Sequence, residues 1–205
     1  MKTKSGFLAV FLTVLLLPIF LSAQNEDTKQ ATTVTDIDGN VYHSVRIGTQ
    51  VWMVENLKTT RYRNGDTISN LITKKDWWRK LNSGAYCLNN KVSEDYGALY
   101  NWFAVADSRN ISPVGWHVPT VAEWIILVEG LKIKETGTVN FNNIPGGYRK
   151  YNGRFVNFGY YGYWWAAAEH STTFELGRYV YYDNGYVVRG GDCKFFGFSV
   201  RCVKD

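Results

Sequence analysis

The sequence predicts an α+β domain, in which two helices precede a strand-rich and aromatic C-terminal half. Apolar residues recur at helical spacing between residues 99 and 128, whereas alternating apolar patterns and glycine turns lie on both sides of that region. Aromatic residues make up 16% of the 205-residue chain, enough to build a core and leave rings at the surface. This length suits one domain after an export signal is removed.

Residues 33–54 have the pattern of short antiparallel strands. Apolar and polar residues alternate from Val41 to Ile47, and a second apolar run covers residues 51–54. Asp38-Gly39 and Gly48-Thr49 supply tight turns, because glycine accepts a positive φ at little cost.

Residues 61–92 are polar and irregular, and they contain the pair Trp77-Trp78 among charged neighbours. Two large rings in such a neighbourhood could be exposed to a ligand. The alternative, which we favour, is that both rings anchor a long loop onto the core.

Two apolar stripes predict the helices. In the first, one helical face carries Leu99, Trp102, Phe103 and Ala106. The second begins with a capping box, in which Thr120 and Glu123 each satisfy a backbone N–H group. Its stripe consists of Val121, Trp124, Ile125 and Val128, and Gly130 suits its end.

From Phe141 onward the pattern is again that of strands. The clearest hairpin has apolar runs at residues 179–182 and 186–189 on either side of the turn Asp183-Asn184-Gly185. In the last predicted strand, one face carries Phe198, Val200 and Cys202, and the other carries Ser199, Arg201 and Val203.

Four blocks join aromatic residues to glycines at fixed offsets. They are Gly115-Trp116-His117-Val118-Pro119, Pro145-Gly146-Gly147-Tyr148-Arg149, Gly162-Tyr163-Trp164-Trp165 and the C-terminal run from Gly197 to Asp205. In this order and spacing, residues 34–205 resemble the Fibrobacter succinogenes major paralogous domain. The opening region, with Gly39-Asn40, Ile47-Gly48 and the run from Trp52 to Leu57, resembles that family as well.

The resemblance implies an exported bacterial protein without a settled biochemical activity. It also implies a loop-rich, C-type lectin-like fold, with two helices, twisted antiparallel strands and a last strand that carries a late cysteine. That architecture is related to the fold of the formylglycine-generating enzymes.

The N-terminus has the features of a signal peptide. Lys2 and Lys4 precede an apolar run over residues 7–20, and Leu21-Ser22-Ala23 provides a small-residue cleavage site. We expect cleavage after Ala23, which leaves a flexible leader over residues 24–33; an uncleaved membrane anchor is the alternative. The mature protein would then be secreted, periplasmic or on the outer cell surface, and it would contact a membrane only during export.

The charge and the position of the first cysteine argue against a nucleic-acid partner and against a lipid anchor. The net charge is +5, but two of these charges belong to the signal peptide and no run of five basic residues occurs, so we expect no nucleic-acid partner. The first cysteine is Cys87, so a lipid-modified N-terminus, common in the family, is not expected.

Three cysteines in an exported chain allow at most one internal bridge. The family has a cysteine just before the proline at position 113, and here that position is Ser112. The bridge to Cys202 that the resemblance implies therefore cannot form. We expect Cys193 to replace the lost partner, which gives a Cys193–Cys202 disulfide and a free, buried Cys87.

Candidate chemistry is sparse. The three histidines, His43, His117 and His170, lack the paired spacing of a zinc site, and no carboxylate-rich loop suits calcium. We interpret His117 as a buried imidazole that holds the turn before the second helix. A metal or acid–base role stays open for a different pair, Glu169-His170. We expect no cofactor and no catalytic residue, because no nucleophile motif is present.

The remaining candidate is a binding surface on the glycine-rich segment. Tyr160, Tyr161 and Tyr163 are predicted to contact a ligand, with Trp77 or Trp78 as a second contribution, because aromatic rings stack on sugars and hydroxyls bind their polar edges. The alternative is that these rings pack in the core.

Three functions therefore stay open. The favoured one is an exported, non-catalytic binding module for glycans or cell-surface proteins. The others are a structural surface protein without a small ligand and an enzyme, either glycan-acting or related to the formylglycine-generating oxidases. Exposed rings in a cleft would favour binding, whereas two carboxylates converging in a pocket would favour an enzyme.

Overall fold

Thirteen strands and two helices make up the part of the chain that is described, which confirms the α+β class. The computed structural model describes residues 32–71, 82–88, 96–133, 146–167, 176–183 and 186–205. The predictions on the signal peptide, on leader residues 24–31 and on Glu169-His170 lie outside these residues. Thr32 and Thr33, predicted as the end of the flexible leader, instead begin the first strand and pair with Ser44 and His43. Within them, neither helix is long and apolar enough to cross a membrane.

The larger sheet joins the two ends of the domain. Its antiparallel strands run in the order β1 (Thr32–Thr35), β2 (Val41–Ile47), β3 (Gln50–Met53), β13 (Val203–Lys204) and β7 (Trp116–His117). Gly39 and Gly48 have φ values of 85° and 60°, which confirms the two predicted turns. Trp52 pairs with Val45 on one side and Val203 on the other, so the last strand completes the sheet that the first three begin.

Three smaller sheets surround this one. The first contains β10 (Gly162–Ala166), β11 (Leu176–Asp183) and β12 (Tyr186–Cys193), and the second contains β4 (Ser69–Asn70), β5 (Ala85–Cys87) and β6 (Leu99–Tyr100). The third consists of β8 (Tyr148–Arg149) and β9 (Phe155–Val156). Asp183 pairs with Tyr186, which confirms the predicted hairpin between β11 and β12.

The first helix is shorter than its apolar stripe. α1 covers Trp102–Val105 only, because Leu99 belongs to β6 and pairs with Cys87. Asn101 then begins the helix, since its side-chain oxygen accepts a hydrogen bond from Ala104 N–H at 3.0 Å. The prediction of helical structure at Leu99 was therefore wrong, because strand pairing competes with the local pattern.

The second helix, α2 (Val121–Ile133), has the predicted start but a later end. Thr120 Oγ1 accepts from Glu123 N–H at 3.2 Å, and Glu123 Oε2 accepts from Thr120 N–H at 2.8 Å, which confirms the capping box. Gly130 lies inside the helix rather than at its end. A Cβ atom there would lie 3.1 Å from Ile47 Cγ2, so the glycine lets α2 approach the larger sheet.

The segment 197–204, predicted as one alternating strand, instead pairs with several parts of the chain. Gly197 exchanges two backbone hydrogen bonds with Arg149. Other residues whose backbone groups bond to this segment are Met53, Leu57, Tyr100, Tyr163 and Trp165. Because partners lie on both sides, the segment is buried throughout its middle, and even Ser199 and Arg201 are at most 1% exposed.

Tryptophan rings fill the space between α2 and the strands. The ring centroid of Trp124 lies 4.9 Å from that of Trp52 and 5.7 Å from that of Trp164. All three side chains are at most 2% exposed. The largest apolar cluster adjoins them and includes Tyr42, Leu57, Tyr100, Trp165 and Phe198. Much of the aromatic excess in the sequence therefore serves the core.

Asn56 is the point at which three distant segments meet. Its side-chain oxygen accepts hydrogen bonds from Trp164 Nε1 at 2.8 Å and from Arg201 Nε and Nη2 at 3.2 and 2.9 Å. Its amide nitrogen donates to Tyr96 O at 3.0 Å. Burial lowers the pKa of Arg201 to about 9, so the guanidinium is still charged at neutral pH. A buried charge requires such an acceptor, because its desolvation is otherwise uncompensated.

We predict that Asn56→Ala destabilises the domain by about 3 kcal/mol or more, because three buried N–H groups, two of them on a cation, lose their shared acceptor. Asn56→Asp keeps the acceptor and forms an ion pair with Arg201, but it sets a carboxylate oxygen against Tyr96 O in place of an N–H donor, so its loss should be smaller. Urea denaturation of both variants measures their free energies of unfolding and shows which variant loses more. An Asn56→Ala variant as stable as the parent would contradict the role assigned to this side chain.

Candidate functional site: an aromatic surface on two turns

Residues 146–163, the glycine-rich segment, form a short hairpin followed by a second tight turn. β8 and β9 pair antiparallel, and the hairpin closes where Lys150 N–H donates to Arg154 O at 2.8 Å. Gly153 adopts a φ of 83° in this closing turn. The tip displays Tyr151, whose side chain is 40% exposed.

The second turn places Tyr160 in solvent. Asn157 adopts a φ of 56°, a value that asparagine tolerates better than most side chains, and Gly159 follows at 78°. The N–H groups of Tyr160 and Tyr161 both donate to Asn157 O at 3.1 Å, which fixes the turn. Tyr160 is consequently held with 82% of its surface exposed.

A layer of packed rings supports these turns. The ring centroid of Tyr148 lies 4.7 Å from that of Tyr163 and 5.7 Å from that of Phe196. Tyr163 in turn stacks on Phe198 at 5.8 Å, with the two planes 17° apart. The outermost ring is Tyr151, which stacks on Phe196 at 6.0 Å and 21°. Tyr151 therefore has one face against the core and an exposed remainder.

The three tyrosines predicted to bind a ligand have different surroundings. Tyr160 is the exposed one. Tyr161 is partly buried within the turn. Tyr163 belongs to the ring layer, and its hydroxyl accepts a hydrogen bond from Asn157 Nδ2 at 2.6 Å. The structure thus brings Tyr160 to the surface and uses Tyr163 in packing.

Tyr151 was not among the residues that the sequence predicted to bind a ligand. The signal that could have identified it is the Asn152-Gly153 pair that follows, because such pairs favour turns and a residue at the tip of a turn is exposed. Trp77 and Trp78, the other predicted contacts, lie outside the described residues and stay predictions.

Two glycines bring this segment close to its neighbours. A Cβ atom at Gly147 would lie 2.3 Å from Val156 O, and one at Gly162 would lie 2.0 Å from the ring of Trp164. Neither position can hold a side chain without a shift of the surroundings. These glycines therefore serve close packing.

His117 joins the C-terminus to the start of α2. Its Nδ1 lies 2.6 Å from Asp205 Oδ1, and its Nε2 lies 2.9 Å from Glu123 Oε1. Burial lowers the pKa of His117, but the hydrogen bonds to the two carboxylates outweigh this and the net pKa is raised. Since both ring nitrogens are engaged, the geometry favours the predicted role of holding the turn before the second helix. The prediction that this imidazole is buried was wrong, because the side chain is 35% exposed.

A groove of about 210 Å³ lies on another face, beside Ile37, Arg63 and Val114. Arg63 donates there to the carbonyl groups of Ser112, Pro113 and Trp116. Its cationic group therefore holds the loop before β7. Within the described ranges, no group of three or more His, Cys, Asp or Glu side chains could hold a metal ion.

Cys202 lies beside the position at which the family resemblance places a cysteine. Its Sγ is 3.4 Å from Ser112 Oγ, and both Cys202 and Cys87 have buried free thiols. Burial raises the pKa of each thiol to about 12, which makes both poor nucleophiles at neutral pH. The predicted Cys193–Cys202 bridge is not seen; the side chain of Cys193 lies outside the described ones, so the pairing stays a prediction.

The chain belongs to the Fibrobacter succinogenes major domain family, whose family model matches residues 45–204. The matched region contains Asn56, the ring layer and both turns of the glycine-rich segment, which confirms the resemblance drawn from the aromatic blocks. No curated protein and no solved structure matches the chain significantly. Family membership thus identifies the domain and leaves its specific function to be inferred from the surface.

We predict that Ser112→Cys forms a disulfide with Cys202. The bridge would close a loop of 90 residues, for which the chain-entropy account gives an upper value of about 4.6 kcal/mol, and disulfides typically stabilise by about 2–4 kcal/mol. Thermal unfolding with and without reductant measures the gain, and Ser112→Ala is the matched control. A wild-type protein already bonded through Cys193 and Cys202 would block this bridge, and peptide mapping without reduction would detect it.

We predict that His117 stabilises the fold most at acid pH. Because its folded pKa is raised above 6.5, the stabilisation is fully present below that value and is lost as the pH rises through the folded pKa. His117→Gln should therefore lose more stability at about pH 5.5 than at about pH 8.5, by less than about 1 kcal/mol, since the side chain is partly exposed. Urea denaturation at the two pH values measures the difference, and a larger loss at the higher pH would contradict it.

Proposed function

We propose that this protein is an exported, non-catalytic binding module whose ligand is a carbohydrate. The observation that carries the proposal is the pair of displayed rings, Tyr151 and Tyr160, on two turns fixed by backbone hydrogen bonds. Tyr160 is 82% exposed and Tyr151 is 40% exposed. A rigid tyrosine offers a flat apolar face and a hydroxyl at little entropic cost, which suits a sugar ring.

The chemistry of the described side chains supports binding over catalysis. Glu123 and Asp205 are both bound to His117, one at each ring nitrogen. Asp36 accepts hydrogen bonds from Asn40 and from Tyr42 Oη, and it holds the first hairpin. These carboxylates have structural partners in place of the open pocket that a pair of hydrolytic carboxylates requires.

We also propose a C-type lectin-like architecture and an extracytoplasmic location. The pairing of β13 with β3, which joins the two ends of the domain in one sheet, supports the architecture. The predicted signal peptide over residues 1–23 supports export. Trp77 and Trp78 remain proposed as a second contribution to the ligand surface, and a structural surface protein is the outcome if no sugar binds.

We predict that Tyr160→Ala weakens sugar binding about tenfold or more, because removal of a contacting aromatic ring costs about 1–3 kcal/mol. Its melting temperature should stay close to that of the parent, since the ring is exposed. Tyr163→Ala is the matched control, and it should lose several degrees because it empties a site in the ring layer. Tyr161→Ala tests the partly buried neighbour in the same assay.

A glycan array probed with residues 24–205 identifies the sugar, and titration calorimetry with that sugar then gives the affinities. Normal binding by Tyr160→Ala would remove this ring from the site. Failure of the parent to bind any sugar on the array would overturn the proposed function and favour the structural role.

A further inference from the structure

We infer that the ligand is an acidic glycan, whose carboxylate or sulfate groups bind between Lys150 and Arg154 beside the ring of Tyr151. This inference rests on the proposed function and specifies its ligand class. It comes from the charge distribution on the β8–β9 hairpin, a feature independent of the exposed tyrosine rings.

Lys150 and Arg154 lie directly opposite each other. Tyr148 pairs with Val156 and Arg149 with Phe155, so the same register places Lys150 opposite Arg154. Their backbone hydrogen bond, Lys150 N–H to Arg154 O at 2.8 Å, agrees with this register. Residues opposite each other in an antiparallel pair project from the same face, so the two cationic side chains leave the hairpin together.

Like charges placed opposite each other destabilise a pair of strands. A carboxylate nearby would offset the repulsion, but among the described residues neither Lys150 nor Arg154 forms an ion pair. The ion pairs among the described residues involve other cationic side chains, namely His43, Arg61, Arg109 and His117. The hairpin therefore retains an unfavourable arrangement that an anionic ligand would relieve.

The sequence around the hairpin contributes no negative charge. Residues 136–168 contain no Asp or Glu and three basic residues, and residues 194–201 contain Lys194 and Arg201 without an acidic one. Phe196, on which Tyr151 stacks, lies two residues from Lys194. Lys194 thus adds a cationic residue close in sequence to the ring on which Tyr151 stacks, whereas Arg201 is buried, and the excess of positive charge favours an anion at the place where a sugar ring can stack.

Two cationic side chains near an exposed tyrosine ring fit an acidic polysaccharide better than other anionic polymers. Lysine and arginine bind carboxylate and sulfate oxygens by charge-assisted hydrogen bonds, while the tyrosine face takes the sugar ring. A nucleic acid requires a longer basic face that follows its phosphates. Two opposed cations at the tip of a hairpin instead match one or two acidic groups on a saccharide.

The test compares Lys150→Gln/Arg154→Gln with Arg46→Gln/Lys204→Gln, which removes the same charge from exposed positions on the larger sheet. Binding is measured by biolayer interferometry to immobilised polygalacturonate, chondroitin sulfate and neutral dextran, and to a single-stranded oligonucleotide. We expect the parent to prefer an acidic polysaccharide, with affinity falling as salt rises. The hairpin variant should lose at least tenfold in affinity and the control variant less than threefold.

Thermal unfolding separates binding from folding, because removal of opposed like charges should leave the hairpin variant as stable as the parent or more stable. Equal binding of neutral and acidic sugars, unaffected by the hairpin variant, would overturn the acidic-ligand inference and leave the proposed function standing. Binding of no sugar would overturn both. Equal losses of affinity in the two double variants would show that binding depends only on net charge and would overturn the site at the hairpin. Tighter binding of the oligonucleotide than of any polysaccharide would show that an acidic glycan is the wrong class of partner.

Discussion

The fold depends on one buried acceptor, the side-chain oxygen of Asn56. It takes hydrogen bonds from Trp164, 108 residues away in sequence, and from Arg201, 145 residues away. Moving the Arg201 charge out of water costs several kcal/mol unless oxygen atoms receive its N–H groups. The segment 197–204 can therefore cross the interior only where Asn56 lies beside it, and the smaller sheets are attached to that segment.

The residues of the four aromatic and glycine blocks and the residues of the candidate site are largely different. Trp164, Arg149 and Arg201 belong to the aromatic blocks, and each is at most 2% exposed. The displayed rings and the opposed cations lie between two of these blocks, within residues 150–160. Because of this separation, side chains on the turns can differ while the bonds that hold the interior stay as they are.

Several features could be predicted from the sequence because a few neighbouring residues decide them. The turns at Gly39 and Gly48 need only a residue that accepts positive φ. The capping box of α2 joins Thr120 to Glu123 within one turn, and the β11–β12 hairpin follows from the turn at residues 183–185. The aromatic and glycine-rich nature of the candidate surface was equally visible, since composition does not depend on the fold.

Tertiary structure decided what depends on partners far away in sequence. α1 is short because Leu99 pairs with Cys87, and Gly130 lies within α2 because that helix must approach Ile47. Tyr163 packs in the ring layer, whereas the neighbouring Tyr160 is exposed to solvent. The sequence pattern alone does not predict which of the two tyrosines is buried. The sequence by itself thus determined the class, the turns and the family, whereas long-range packing determined which rings and charges face solvent, because the exposure of a side chain depends on neighbours that are distant in sequence.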